Sequence, residues 1–250
     1  MNIRFRTSLL LGALFLLLLS SVSPVGAEEH GTCQKDERPE MSAELRKVLN
    51  GLDRANEDLE GVRAKVVYKR QIPLLDESET ADGQLAFKKP DYLHLRLGDP
   101  RNEEIYSDGK QWWVISHEDK QVEVYPAADR EGSIAEASFL TFGYGQSSDS
   151  LLEDYDISLE DTETRKDNGQ DLTSWHLRFQ PRDKEQASRF SVIEVTITNE
   201  IWLPQKLILH ESDGEIVHSF DLRKITVNPG LKEKDFRYSA PRGYTILKPE

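Results

Sequence analysis

The chain has 250 residues, with 45 acidic against 32 basic side chains and a net charge of −13. So acidic a chain argues against a nucleic-acid partner and against tight docking on anionic lipid. Its single cysteine, Cys33, excludes an internal disulfide, so burial alone must hold the fold.

Residues 1–27 divide into three zones: a basic start with Arg4 and Arg6, an uncharged apolar run from Leu9 to Leu19, and a short stretch ending Val25-Gly26-Ala27. This pattern predicts a cleavable secretory signal cut after Ala27. The apolar run is only about half the ~20 residues that a membrane span needs. Residues 28–40 are polar and charged and are predicted to be a disordered tail. His30-Gly31-Thr32 before Cys33 are not the small apolar residues of a lipidated cysteine, which leaves Cys33 as a lone thiol on that tail.

From Met41 to Leu59 the apolar residues Met41, Leu45, Val48, Leu49, Leu52 and Leu59 recur at helical spacing, with Ser42 placed to cap the start and Gly61 to end the helix. Gly51 inside it should weaken it by about 1 kcal/mol. After Gly61 the period changes to two. Val62, Ala64, Val66 and Tyr68 alternate with polar residues, as do Leu85 and Phe87, then Leu93, Leu95 and Leu97, then Trp113 and Ile115, then Val122 and Val124. The same rhythm returns at Trp175, Leu177 and Phe179, at Ile193, Val195 and Ile197, at Leu207 and Leu209, and at Phe220 and Leu222. Asp82-Gly83, Lys89-Pro90, Asp108-Gly109, Asn168-Gly169 and Asp213-Gly214 are predicted turns. The polar, acidic stretch from Gln71 to Ala81 is predicted to be a loop.

Each such strand has one wet face and one apolar face. The fold class predicted is mostly β with covering helices: about ten or eleven antiparallel strands in a barrel or sandwich, after one N-terminal helix. Ala127 to Leu152 breaks the rhythm. Ile134 to Leu140 predicts a short helix, Phe142-Gly143-Tyr144-Gly145 a break, and Ser148 to Leu152 a second short helix. Such a segment either lids a barrel mouth or packs permanently on the sheet, and both readings stay open on periodicity alone. Residues 41–250 are expected to form a single domain.

No residues assemble a nucleophile, base and orienter. The six histidines (His30, His94, His117, His176, His210, His218) lack helical ligand spacing and are expected at the surface or rim. Gly143 to Ser147 lacks the spacing of a nucleophile elbow. Asp154, Asp156, Glu160, Asp161 and Glu163 do not match a calcium loop and suit a solvated strand edge. The four tryptophans are expected at buried β positions. No catalytic residue, metal or cofactor is expected.

Gly83-Gln84-Leu85-Ala86-Phe87-Lys88-Lys89-Pro90-Asp91-Tyr92-Leu93-His94-Leu95 resembles a hairpin signature of the LolA family of outer-membrane lipoprotein carriers. Glu104 to Val114, Phe139 to Tyr155, and Asn228-Pro229-Gly230-Leu231 with Phe236 and Pro241 to Tyr244 resemble further family segments, in order. The resemblance implies an unclosed antiparallel barrel whose concave apolar face, under a short helical lid, shields the acyl chains of lipoproteins in the periplasm. It implies cavity residues at Val66, Tyr68, Leu85, Phe87, Leu93, Leu95, Trp113, Ile115, Phe139, Leu140 and Phe142. It implies no cofactor, an inner-membrane transporter of the LolCDE type as donor, an outer-membrane acceptor, and a monomer. Lys89 stands where the family has an arginine that clamps lid carbonyls, and lysine lacks the planar fork. A lipid-sensing or interaction module in envelope signalling is the alternative that the same fold allows.

Overall fold

Ser42 starts the first helix, α1 (Ala43–Glu57): its hydroxyl accepts from the amide of Leu45 at 3.1 Å. The apolar stripe buries Leu45, Val48, Leu49 and Leu52. The helix stops at Asp58, and Gly61 instead begins the first strand, where a Cβ would meet the Phe87 carbonyl oxygen at 2.4 Å. Gly51 has a packing reason: a Cβ there would lie 2.0 Å from Cε3 of Trp202, whose ring presses against the helix. The computed structural model describes residues 41–128, 132–167, 169–239 and 242–248. The expected signal segment, the tail with Cys33 and His30, and Asn168 lie outside the described residues.

Among the described residues, twelve strands form one sheet. They are β1 (Gly61–Ile72), β2 (Glu77–Lys88), β3 (Tyr92–Leu97), β4 (Glu103–Asp108), β5 (Gln111–Ser116), β6 (Gln121–Pro126), β7 (Tyr155–Asp167), β8 (Gln170–Pro181), β9 (Phe190–Thr198), β10 (Pro204–Glu211), β11 (Val217–Val227) and β12 (Thr245–Leu247). Their order is β12-β6-β5-β4-β3-β2-β1-β11-β10-β9-β8-β7. The two ends, β12 and β7, do not pair, so hydrogen bonds leave the sheet unclosed. Every neighbouring pair is antiparallel except β12 on β6, which is parallel and departs from the wholly antiparallel expectation. The helices α2 (Gly132–Phe139), α3 (Ser148–Asp154) and α4 (Lys184–Arg189) interrupt the strand order.

One face of the sheet carries the core. Val66, Leu85, Leu95, Trp175, Phe179 and Phe220 are buried there together with the stripe of α1 and with Ile134, Ala137 and Leu140. Fully burying each larger side chain stabilises by about 1.5–3 kcal/mol. The register explains the faces. Leu95 pairs with Ile105 and Ile105 with Val114, so these point into the core; Tyr106 pairs with Trp113, on the other side.

Two local expectations are corrected. Asp82-Gly83 lies within β2, not in a turn: Gly83 pairs with Leu97, and a Cβ on it would meet the Arg96 carbonyl oxygen at 2.3 Å. Its glycine serves close strand approach. Residues Gln71 to Ala81 are not a loop but the end of a long hairpin, with Ile72 paired to Glu77 around a short 3-10 turn, Pro73–Leu75. Its outer half reaches past the core, so it shows no apolar alternation to read.

Candidate functional site

The C-terminal segment accounts for the second apolar face. Phe236 is buried against Tyr92 with ring centroids 5.6 Å apart, and Tyr238 stacks on Trp113 at 5.8 Å. Tyr244 OH lies 2.9 Å from His117 Nδ1. Trp113 and Ile115 therefore do not line the concave face, as the resemblance implied; they belong to the opposite one. The Trp112-Trp113 doublet offers two apolar registers, and the strand uses Trp112 and Val114 for the core.

On the concave side, α2, the segment 140–147 and α3 form a cover. Asn56 of α1 holds it. Its Nδ2 donates to the Gly143 carbonyl at 2.7 Å and to the Gln146 carbonyl at 3.0 Å, and its Oδ1 accepts from Gly145 N at 2.8 Å. Asp53, one turn earlier, accepts from the backbone amide of Ser148 at 2.7 Å and from its hydroxyl at 2.5 Å. Tyr144 OH donates to the carbonyl of Pro204, and burial raises its pKa above the ordinary tyrosine value. Ring contacts finish the seam: Phe142 meets Phe179 edge-on at 4.9 Å and Tyr155 at 5.3 Å, and Phe139 meets Phe190 at 5.0 Å.

Lys89 takes a different part from the one the resemblance implied. Its ammonium donates to the Asn56 carbonyl at 3.0 Å, at the C-terminal end of α1, where a cation also meets the negative end of the helix dipole. The bonds to the cover carbonyls come from the Asn56 amide. A single ammonium cannot fork across two carbonyls as a guanidinium does, and the planar amide of Asn56 supplies the donors and the acceptor instead. The stem of Lys89 runs along Gly145, where a Cβ would come within 3.0 Å of Cε.

Beneath the cover lies a cavity of about 380 Å³ lined by Phe87, Leu93, Trp112, Phe139, Phe142 and Tyr155, with Ser107, Ser138, Thr141, Gln146 and Asp91 among the polar residues around it. This volume is at the lower end of typical ligand pockets. Burial, with Asp154 nearby, pushes the Tyr155 hydroxyl up to about 12, so it stays neutral. Of the residues expected to line a cavity, Phe87, Leu93, Phe139 and Phe142 do so. Val66, Tyr68, Leu85, Leu95 and Leu140 are instead packed in the adjoining core.

Asn56, Trp112 and Tyr155 were not anticipated at this site. Asn56 has a legible signal: Leu45, Leu49, Leu52 and Asn56 follow at spacings of four, three and four, which places an amide on the apolar stripe.

His218 also departs from the surface or rim expectation. It is 1 % exposed, with Nδ1 3.0 Å from Tyr68 OH and Nε2 2.9 Å from Glu211 Oε1. Among the described residues one group of three potential metal ligands, Asp161, Glu163 and His176, has ligand atoms within 4.8 Å of one another, on the exposed β7–β8 hairpin. No described helix is long and apolar enough to cross a membrane.

Comparison with known proteins agrees with this geometry. The family model described as outer membrane lipoprotein carrier protein LolA matches residues 71–239. An outer-membrane lipoprotein carrier protein from Bordetella avium (strain 197N) is 26% identical over 167 residues, which cover 66% of this chain and 70% of that protein. Among solved structures, an uncharacterized conserved protein from Thermus thermophilus superposes with a TM-score of 0.51 at 13% identity, covering 82% of this chain and 99% of that one. A LolA superfamily protein from Nitrosomonas europaea gives a TM-score of 0.40 at 13% identity over 77% of this chain and 97% of that one. The likeness to the Thermus thermophilus protein shows the fold alone, whereas the family match covers well over half of the sequence. This chain belongs to the LolA family of outer membrane lipoprotein carrier proteins.

Proposed function

We propose that the chain is exported to the periplasm, loses residues 1–27, and carries lipoprotein acyl chains through water toward the outer membrane. The observation that carries this reading is the cavity beneath the cover, with Phe87, Leu93, Trp112, Phe139 and Phe142 in its wall. Moving an acyl chain out of water into such a wall is favourable by about 0.8 kcal/mol per methylene. A carrier needs that gain to be reversible, and a cover fastened by a few hydrogen bonds, each with a net value of about 0.5–3 kcal/mol, suits loading and release. The chain then acts by binding, without a covalent step or a cofactor. An inner-membrane transporter of the LolCDE type and an outer-membrane acceptor are the partners that fit this role.

Native mass spectrometry of the protein isolated from its own envelope tests the reading. A co-purifying acylated peptide or lipoprotein supports it. A ligand-free protein that also takes up no fluorescent fatty acid in solution contradicts it.

A further inference from the structure

The β7–β8 hairpin carries a side-chain group that the trough does not use. Leu159 pairs with Leu177, and the next pairing is Asp161 with His176. Glu160 is therefore an extra residue, a bulge. Without it Asp161 would stand opposite Trp175, on the side of the core. With it Thr162 takes that place, and Asp161 and Glu163 turn to the outer side, where His176 lies. One ligand atom from each of Asp161, Glu163 and His176 lies within 4.8 Å of the other two. The acidic run in the sequence does not reveal this group, because its third member comes from the neighbouring strand.

The histidine is oriented from outside the group. Thr196 of β9 stands opposite His176, and its Oγ1 lies 3.1 Å from Nδ1. A hydroxyl there can accept the Nδ1 proton, which leaves the Nε2 lone pair for an ion. Such an outer partner on the other ring nitrogen is the usual support of a metal-bound histidine. The carboxylates, in turn, lack a counter-charge. Lys166 pairs with Asp171 at 2.6 Å and Arg182 with Asp156 at 2.8 Å. Among the described residues no lysine or arginine pairs with Asp161 or Glu163. Two like charges thus share one face of a strand, an arrangement that is unfavourable until a cation joins it. Access is open, because β7 is the last strand of the sheet and a cleft of about 650 Å³ borders Glu163, Ser174 and Thr196.

We propose that Asp161, Glu163 and His176 bind a divalent transition-metal ion of the zinc type, which pins the edge strand β7 to β8. The donor set selects the class of ion. An imidazole with two carboxylates suits zinc, and a zinc site with three protein ligands keeps a fourth position for water or for a donor from another molecule. Calcium and magnesium require six or more oxygen ligands in all, and neither takes imidazole readily. Asp161 and Glu163 are exposed, so their carboxylates have room to close to the roughly 3.4 Å that separates ligands around a bound zinc. The proposal does not rest on the carrier reading, since these side chains face away from the trough.

Isothermal titration with zinc chloride tests it, on the chain lacking residues 1–27. Each form carries Cys33→Ser, which removes the thiol as a rival ligand. The parent should bind one zinc ion at this group, and calcium at the same concentration should give no heat. His176→Ala, and the double variant Asp161→Asn with Glu163→Gln, should each bind zinc at least about tenfold more weakly. These side chains lie outside the core, so the melting temperatures of the metal-free variants should match that of the parent. Zinc should raise the melting temperature of the parent and slow hydrogen exchange in β7 near the bulge, and should do neither in His176→Ala. A parent that binds no zinc, or zinc affinity unchanged in both ligand variants, overturns the site. Calcium bound as tightly as zinc overturns its assignment to a transition metal.

Discussion

Asn56 Nδ2 donates to the Gly143 carbonyl at 2.7 Å, across 87 residues of sequence, and so joins the end of α1 to the centre of the cover. The same side chain holds Gln146 and Gly145, so one amide satisfies three backbone groups. Asn56→Ala removes all three bonds and leaves the buried Gly143 carbonyl without its donor. The expected loss is about 1–3 kcal/mol of unfolding free energy, with faster proteolysis in residues 140–147. Urea denaturation and limited proteolysis check both. Lys89→Ala should cost less, about 0.3–1 kcal/mol, because its ammonium supports a single carbonyl at a helix end.

Gly51→Ala gives a prediction whose sign separates two arguments. Helix propensity alone favours alanine by about 1 kcal/mol. The Trp202 ring, 2.0 Å from where the new methyl would stand, opposes it. Overpacking of this kind usually costs about 1–3 kcal/mol, so the variant should melt at a lower temperature than the parent. A higher melting temperature would show that Trp202 does not press on α1.

Glu104 makes stability depend on acid. Its carboxyl is held down at about 2, against an ordinary 4.5, first by the imidazole of His94, then by the Tyr106 hydroxyl and the charge of Arg96, over the opposition of burial. A carboxyl lowered by folding stabilises the protein fully above pH 4.5 and loses that contribution as pH falls toward 2. Between those values the parent should lose stability more steeply than Glu104→Gln, which carries no carboxylate to protonate. Thermal melts across that range check the difference; parallel curves would contradict it.

The parts of the fold legible in the sequence are those where one face is wet. Leu93-His94-Leu95 and Trp175-His176-Leu177 alternate cleanly because each polar side chain faces away from the core. Where both faces are covered, the signal fails. Trp112, Trp113, Val114 and Ile115 are apolar in succession, since the C-terminal segment with Tyr238 covers the second face, and periodicity could not choose between them. Asp82-Gly83 has the composition of a turn but the function of a close strand contact, which depends on a neighbour 13 residues away. His218, unlike His94, His176 and His210, shares the apolar register of its strand with Phe220 and Leu222, and its partners Tyr68, Glu136 and Glu211 show how the buried ring is satisfied.

The opposite faces of Trp112 and Trp113 give the most direct test of the central claim. A fatty acid brominated along its chain quenches a tryptophan that it touches. Titrated into the protein lacking residues 1–27, such a fatty acid should quench the parent and Trp113→Phe, and should quench Trp112→Phe much less, because Trp112 lines the cavity while Trp113 stacks beneath Tyr238. No quenching in the parent, or quenching lost with Trp113 and kept without Trp112, would contradict an acyl site beneath the cover.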